Sequence, residues 1–304
     1  MNQEFKDYLF LHVIVLTWGF TAVLGLLIRT PPVEMVFYRT GISAMGIMII
    51  MWFQGVSFKL NSIADVKSAA FVGVLLGTHW ILFFLSARVS TASVCLAGMA
   101  TTSLWTSLVE PIYFKKKVRK FEVALGLLAF IGMIIIVNVE VKYVLGISLS
   151  LVSALCAALF TVINSNLTKH NNHFSLTFYE MVFACLSIVF FFPFYTNFFS
   201  DQPLHLLPSH LDWLYLSILA LVCTVFAYSY SIKLMKRLSA FSVNLSVNLE
   251  PIYGIVLALI IFGESEEMSP GFYLGTGLIM LSVLAYPILN KRYGQKAIET
   301  DVLR

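Results

Sequence analysis

The sequence predicts an all-α membrane protein with ten transmembrane helices, arranged as two inverted five-helix repeats. The chain of 304 residues is 59% hydrophobic and 12% charged, whereas about a quarter of the residues in soluble domains are charged. Ten apolar runs are long enough to cross the hydrocarbon core of a bilayer, which takes about 20 helical residues. The polar segments between these runs carry opposite charges at matching places in the two halves of the chain.

The ten predicted spans follow one another with mostly short connections. The first five form a predicted repeat over residues 1–139, and the last five form a second repeat over residues 140–304. The longest polar connections, 55–65 and 200–211, are too short to hold an extramembrane domain. The first run lacks a cleavage site of small residues, so we expect a first span rather than a signal peptide. The predicted spans are 8–28, 33–53, 66–87, 92–113, 119–138, 144–166, 174–199, 212–234, 239–262 and 270–289.

The lysines and arginines predict how the spans are oriented, because these residues accumulate in cytoplasmic loops. With the N-terminus placed in the cytoplasm, 16 of the 20 lysines and arginines fall in inner segments. Arg29, Arg88 and Lys142 fall in outer segments, and Arg39 lies within a span. We therefore expect both termini in the cytoplasm and the protein in the plasma membrane, a bacterial inner membrane.

The two predicted repeats enter the membrane with opposite orientations, because each contains an odd number of spans. The fourth span of the first repeat ends in a basic cluster, Phe114–Lys120, and the matching span of the second ends in an acidic segment, Phe262–Glu267. Basic residues favour the cytoplasmic side, whereas acidic residues have little preference. Inverted repeats around a site near the bilayer midplane are typical of secondary transporters.

A repeated tetrapeptide could mislead the alignment of the two halves. Glu-Pro-Ile-Tyr occurs at 110–113 and again at 250–253. Matching the ends of the spans instead places Glu250 opposite Thr102. We interpret the second occurrence of the tetrapeptide as coincidental. Separately, residues 11–29 align with residues 151–169, which matches Phe20 with Phe160.

Glu250 is the strongest candidate for contact with a solute or a proton. It is predicted near the middle of the ninth span, where an ionisable side chain costs at least about 2.5–3.5 kcal/mol. Pro251 frees the backbone carbonyl of Val247, as in the broken helices that form transporter sites. Ser242 and Ser246 precede Glu250 at four-residue steps, which predicts one shared helix face. A structural glutamate bonded to a neighbouring helix is the alternative.

Further polar and aromatic residues are predicted at membrane depth. His79 can donate, accept or titrate near neutral pH, and Arg39 can bind a carboxylate or phosphate with a fork of hydrogen bonds. Glu180 is expected to be structural or to pair near a gate. Packing or structural hydrogen bonding is the alternative role of each. The predicted lining of a midplane cavity is Glu250, His79, Trp80, Thr102, Ser103, Trp105, Trp18, Tyr228, Asn244, Asn248 and Arg39.

Motifs in both halves resemble the EamA-type branch of the drug/metabolite transporter superfamily. The resemblance runs from Leu238 through Leu249-Glu250-Pro251 to Phe262-Gly263-Glu264. Trp18-Gly19-Phe20-Thr21 is similar to the family's opening motif, and Arg39 sits where the family often has an arginine. The first half lacks the proline and Gly-Glu elements. The resemblance implies two EamA-like units and a permease for small metabolites, often one that exports amino acids or related compounds.

The predicted function is a secondary transporter that moves a small, amino-acid-like metabolite by alternating access, with export as the expected direction. The expected partners are this solute and the lipid bilayer, without nucleic acid, and we expect a monomer or a homodimer. The sequence has no Walker motif for ATP, and we expect no cofactor, metal or enzymatic activity, although protons could couple through Glu250 or His79. The alternatives are a membrane-embedded transferase, which would use His170 and His173 with Glu180 a few residues further on, and a non-transporting scaffold or sensor subunit.

Overall fold

The computed structural model describes residues 3–115, 120–199, 203–204, 206–247, 249–289 and 292. These residues form helices joined by short connections, and no strand occurs among them. Residues 116–119 of the basic cluster lie outside the described residues, as does Asn248. The α-helices are α1 Gln3–Gly19, α2 Thr21–Leu27, α3 Pro32–Gln54, α4 Ile63–Val89, α5 Ala92–Met99, α6 Thr102–Tyr113, α7 Lys120–Val139, α8 Val144–Leu167, α9 His173–Phe198, α10 His210–Ala220, α11 Ala227–Leu234, α12 Ala240–Val247, α13 Glu250–Phe262 and α14 Pro270–Leu289.

Short irregular helices connect some of these elements. A π-helical stretch, Leu221–Phe226, joins α10 to α11, and we call it the π segment. One 3₁₀ turn, Val141–Tyr143, precedes α8, and another, Gly263–Glu266, follows α13. The π segment keeps α10 and α11 within one helical rod, because helical hydrogen bonding continues through it.

The protein is an integral membrane protein that crosses the bilayer several times. Seven stretches of the described residues are helical, long and apolar enough to span a membrane, and two more apolar helices, Ala124–Val139 and Pro270–Tyr286, are shorter. The predicted all-helical membrane fold is confirmed, whereas the predicted count of ten spans is not. The predicted ninth span is divided between α12 and α13. The seven stretches are Phe5–Leu27, Pro32–Gln54, Ile63–Val89, Ala92–Tyr113, Val141–Leu167, His173–Phe198 and His210–Leu234.

Polar caps define where several helices begin and end. A side-chain oxygen at the N-cap accepts a hydrogen bond from a backbone N–H group of the first turn, which helix geometry otherwise leaves unpaired. α3 ends at Gly55, whose φ of 63° lies in the left-handed region that favours glycine. The capping residues of α4, α5, α9 and α10 are Ser62, Thr91, Asn172 and Ser209.

The core lies where helices from the two halves of the chain pack together. α4 packs against α8 and α9, α3 packs against α9, and α7 pairs with α14. The outward surface carries many large apolar side chains, among them Trp52, Phe53, Phe190 and Ile260. Soluble monomers rarely expose so much contiguous apolar area, so this surface is suited to the hydrocarbon of a bilayer.

Polar contacts join the helix ends on the side of the bundle where the chain begins. Asp7 accepts two hydrogen bonds from Arg237, at 2.5 and 2.6 Å. The backbone N–H of Asn61 donates to Oδ1 of Asn171 at 2.9 Å, and the Asn61 side chain donates to the carbonyl of His170. We call this side the N-terminal end.

A second set of contacts joins the connections at the opposite end. Both carboxylate oxygens of Glu266 accept backbone hydrogen bonds, from Ala92 and Ser93, each at 2.9 Å. Arg88 donates to the carbonyl of Thr30 at 2.6 Å. Since Glu266 caps the first turn of α5 with a full negative charge, this contact ties the second half of the chain to the first.

Candidate solute-binding cavity

Two spans are interrupted, and the interruptions lie at corresponding places in the two halves. α5 ends at Met99 and α6 begins at Thr102, whereas α12 ends at Val247 and α13 begins at Glu250. α13 packs against α5, and α12 packs against α6, so the first part of each interrupted span contacts the second part of the other. Thr102 and Glu250, which the alignment matches, each begin the second half of a span. Helix N-termini carry unpaired N–H groups and a positive dipole end.

The two Glu-Pro-Ile-Tyr tetrapeptides occupy different structural positions. The first lies within the last turns of α6, with Pro111 inside the helix, whereas the second begins α13. This difference agrees with the alignment of Glu250 with Thr102.

A cavity lies beside these interruptions. The space between its walls, including its open side, is about 700 Å³. Ser103 and Trp105 lie outside its lining, and Asn248 lies outside the described residues. That a solute contacts the lining residues stays a prediction. Eight of the predicted residues line the cavity: Trp18, Arg39, His79, Trp80, Thr102, Tyr228, Asn244 and Glu250.

Sequence reasoning missed several lining residues. Thr21 and Thr161 both line the cavity, and the alignment of Phe20 with Phe160 makes these two threonines a matched pair. That match could have predicted both threonines as lining residues. Ser231, Met99 and the apolar residues of the lining gave no comparable signal, because isolated small or apolar residues are common on every face of a membrane helix.

Arg39 is held in the cavity wall with part of its guanidinium unused. The residue is 2% exposed, and its Nε donates to Oγ1 of Thr224 in the π segment at 2.8 Å. The guanidinium carbon lies 3.7 Å from the centre of the Trp80 ring, a cation–π geometry. Among the described residues, the two terminal nitrogens have no hydrogen-bond partner. These contacts orient the guanidinium fork while leaving two of its nitrogens for another acceptor.

Glu250 contributes an opposite charge to the same cavity. It is 7% exposed, and no described residue forms a hydrogen bond or an ion pair with its carboxylate. Arg39 attracts this carboxylate through space. A Cβ atom added to Gly19 would lie 2.9 Å from Cβ of Tyr253 and 3.3 Å from the carbonyl oxygen of Glu250. The absent side chain therefore lets the end of α1 pack closely on the first turn of α13.

Other polar lining residues are bonded to the cavity wall. Nδ1 of His79 lies 2.8 Å from Oγ of Ser153 and 3.0 Å from its carbonyl oxygen. Nδ2 of Asn244 donates to Oγ1 of Thr106 at 2.7 Å, and Nε1 of Trp18 donates to a carbonyl of the π segment at 3.0 Å. These residues shape the walls, whereas Arg39 and Glu250 keep hydrogen-bonding groups for a ligand.

The cavity extends toward the N-terminal end of the bundle. Ser231 lies in the last turns of α11, Met235 directly follows α11, and Val243 lies near the start of α12. The described residues of the opposite-end contacts, including Glu266 and Arg88, are not part of the lining. The lining therefore reaches toward the N-terminal end and does not include these contacts at the opposite end.

Known proteins share both the sequence pattern and the fold. The chain is 23% identical over 257 residues to the uncharacterized transporter YyaM of Bacillus subtilis, covering 81% of each protein. It is 22% identical over 190 residues to an uncharacterized transporter of Archaeoglobus fulgidus, covering 62% of this chain and 68% of that protein. One crystal structure superposes with a TM-score of 0.67 at 16% identity, covering 94% of this chain and 99% of the other. At this identity the structural likeness concerns the fold alone.

A family comparison covers nearly the whole chain. The sequence model of the EamA-like transporter family matches residues 6–138 and again residues 144–286. These matches confirm the resemblance that the motifs indicated. With its apolar helices and its transporter relatives, the chain is a membrane transporter protein, and it belongs to the EamA-like transporter family.

Proposed function

We propose that the protein is a secondary transporter that carries a small zwitterionic metabolite, such as an amino acid, through this cavity by alternating access. The main support is the pairing of Arg39 and Glu250. The two residues line one cavity with opposite charges, and neither uses its full hydrogen-bonding capacity on described residues. Ionisable groups at membrane depth that face a cavity mark transport pathways.

The charge balance favours a zwitterion over a simple ion. A solute carboxylate can bind the free nitrogens of Arg39, since a guanidinium matches carboxylate geometry. A solute ammonium can donate to Glu250. Each solute charge then finds an opposite charge and the filled cavity stays neutral, whereas a lone anion or cation would leave one buried charge without compensation. Phe83 and Phe160 add apolar wall for the rest of the solute.

The proposed mechanism uses ten spans in two inverted repeats, residues 1–139 and 140–304. Contacts between helix ends support this arrangement, since connections that the ten-span topology places inside, such as those of Asn61 and Asn171, meet at one end. Connections that it places outside, such as those of Ala92 and Glu266, meet at the other. The lysine pattern favours a cytoplasmic N-terminal end, and we propose a bacterial inner membrane as the location. A cavity that extends toward this end can load solute for export.

The transferase alternative finds no support among the described contacts. The His173 ring packs 4.2 Å from the Phe174 ring, and Glu180 is bonded to Tyr228 instead. The two candidate groups therefore have separate partners and do not form one reactive site.

A thermal-shift screen tests the proposed solute class. Purified protein is heated with neutral amino acids, sugars, nucleosides, organic anions or cationic drugs, because a ligand at 100 times its Kd stabilises the folded state by about 2.7 kcal/mol. We expect the neutral amino acids to raise the Tm. We expect Arg39→Lys and Glu250→Gln to reduce that rise.

Matched controls separate the cavity from general effects on the protein. Arg29→Lys and Glu264→Gln make the same chemical changes at exposed positions and should keep the full thermal shift. A shift produced only by sugars, anions or cations would contradict the zwitterion proposal. So would an amino-acid shift that survives in both cavity variants.

A further inference from the structure

A buried polar cluster lies directly behind one wall of the cavity. Glu180 on α9 is 0% exposed, and its Oε2 accepts a hydrogen bond from the hydroxyl of Tyr228 at 2.9 Å. The same hydroxyl accepts a hydrogen bond from Nδ2 of Asn164 on α8 at 3.0 Å. Tyr228 also lines the cavity. One side chain therefore connects a buried carboxyl group with the space that we assign to the solute.

Two acceptor atoms of this cluster lack a hydrogen-bond donor. Oε1 of Glu180 and Oδ1 of Asn164 are buried without a partner. An ionised carboxylate and an amide oxygen can only accept, and the single hydroxyl hydrogen of Tyr228 is already given to Oε2. Leaving a buried acceptor unpaired costs about 1–3 kcal/mol, and more when the group is charged. A proton on Glu180 would supply the missing donor and remove the buried charge.

Among the described residues, no cationic side chain bonds to the Glu180 carboxyl group. Within the described part of the chain, no ion pair includes it, and Tyr228 and Asn164 are the side chains that act on it. From α4, Gly73 faces its backbone: a Cβ atom there would lie 2.7 Å from the Glu180 carbonyl oxygen. Titratable or charged side chains on the helices that pack against α9 include Arg39 on α3, His79 on α4, and Tyr228 and Lys233 on α11, and His173 and Cys185 lie on α9 itself.

Three of these groups have contacts with residues other than Glu180. Arg39 is bonded to the π segment and stacked on an indole ring. Lys233 lies 5.1 Å from the centre of the Tyr230 ring, and His173 packs against an aromatic neighbour on its own helix. Glu180 thus has the surroundings of a neutral carboxylic acid.

We propose that Glu180 is a proton-binding site of the carrier, linked to the solute cavity through the hydroxyl of Tyr228. This inference rests on the proposed transport function. In the conformation described here the carboxyl group holds one proton. When Tyr228 moves with the cavity wall and its bond to Oε2 opens, water reaches the carboxyl group. The O–H bond breaks, the proton passes to water, and a carboxylate remains until it takes a proton back on the return of the carrier.

Infrared spectroscopy tests the proton without any need for transport. Full-length protein in lipid vesicles is examined across neutral pH for the carbonyl stretch of protonated carboxyl groups. We expect a band that disappears in Glu180→Gln and persists in Glu264→Gln, which changes an exposed carboxylate. A spectrum of Glu180→Gln identical to that of the wild type would overturn the proposal, because Glu180 would then be ionised.

A second variant keeps the test decisive if Glu180→Gln does not fold. Tyr228→Phe retains the carboxyl group but removes the hydroxyl that bonds it. We expect the carbonyl band to persist and to move to higher frequency, as a carbonyl does when it loses a hydrogen bond. A band that stays in place would show that Tyr228 does not link Glu180 to the cavity.

A transport measurement separates this inference from the proposed function. With radiolabelled leucine as the probe, we expect wild-type vesicles to accumulate leucine in response to an imposed pH gradient. Glu180→Gln should exchange internal for external leucine but lose the gradient-driven accumulation. Retained accumulation in Glu180→Gln would refute the proton site alone. If wild-type protein moved none of the zwitterions tested, the proposed function would fail, while the infrared result would still decide the protonation of Glu180.

Discussion

The contact between α7 and α14 allows a sharp test of how the last helices of the two halves pack. Gly132 and Gly275 face each other with no side chain between them. A Cβ atom added to Gly275 would lie 2.5 Å from the carbonyl oxygen of Gly132 and 2.7 Å from Cγ1 of Ile136. The first obstacle is backbone, which cannot rotate away as a side chain can. Gly275→Ala must therefore push the two helices apart.

The size of the effect follows from two opposing terms. Overpacking a close contact costs about 1–3 kcal/mol, and the rigid carbonyl favours the upper half of that range. Replacing glycine by alanine inside a helix raises the unfolding free energy by about 0.8–1.0 kcal/mol, because alanine has the higher helix propensity. We therefore expect Gly275→Ala to lose about 1–2 kcal/mol of unfolding free energy.

The same helix offers a matched control. A Cβ atom at Gly277 would meet nothing within 4 Å, so Gly277→Ala should gain up to about 1 kcal/mol. Denaturant-induced unfolding of both purified variants in the same detergent measures the difference. Equal stability of Gly275→Ala and Gly277→Ala would refute the packing of α7 against α14 described here.

Three further predictions concern the ends of the bundle and access to the cavity. Glu266→Gln removes a charged acceptor of two backbone hydrogen bonds and should lower the unfolding free energy by about 1.5–3 kcal/mol; an unchanged denaturation midpoint would contradict this. In a cysteine-free background, Ser231→Cys should react with a membrane-impermeant maleimide added on the side of the N-terminal end. Leucine should protect this cysteine from labelling. Labelling only from the other side would contradict the proposed direction of access. Lys115→Cys and Ser265→Cys should react with the maleimide from opposite faces of the membrane. Labelling of both cysteines from the same face would refute the inverted topology.

The sequence alone was sufficient to predict the fold class because a bilayer strongly limits the possible structures. Apolar runs must be helical in lipid, so long runs with few charges left little choice. The interruption at Glu250 was also predictable, because Pro251 cannot complete helical hydrogen bonding. The interruption before Thr102 has no proline to mark it, and only the alignment with Glu250 could have indicated it.

Other features of the cavity depend on contacts that no local pattern encodes. The π segment has an ordinary apolar sequence, yet it supplies the acceptor for Arg39. Ser242 and Ser246 were predicted to share a helix face with Glu250, whereas α12 contributes Val243, Asn244 and Val247 to the cavity lining. The prediction assumed a continuous helix, and the interruption changes which face each half presents.

The roles of individual charged residues were the least predictable. Glu180 was expected to be structural or to pair near a gate, and its bond to Tyr228 became visible only when α9 and α11 were placed together. Arg39 and Glu250 were both predicted to line the cavity, but the sequence did not show which of their hydrogen-bonding groups would be left without a partner. Tertiary packing decides such pairs, because each side chain could equally bond within its own helix.

Leucine flux through vesicles that carry the purified protein tests most directly whether the Arg39–Glu250 cavity is a transport path. We expect saturable leucine exchange with the wild type, strongly reduced exchange with Glu250→Gln and Arg39→Lys, and full exchange with the exposed-site controls Glu264→Gln and Arg29→Lys. Exchange that is equally fast in the cavity variants and the controls would show that solute crosses by another route.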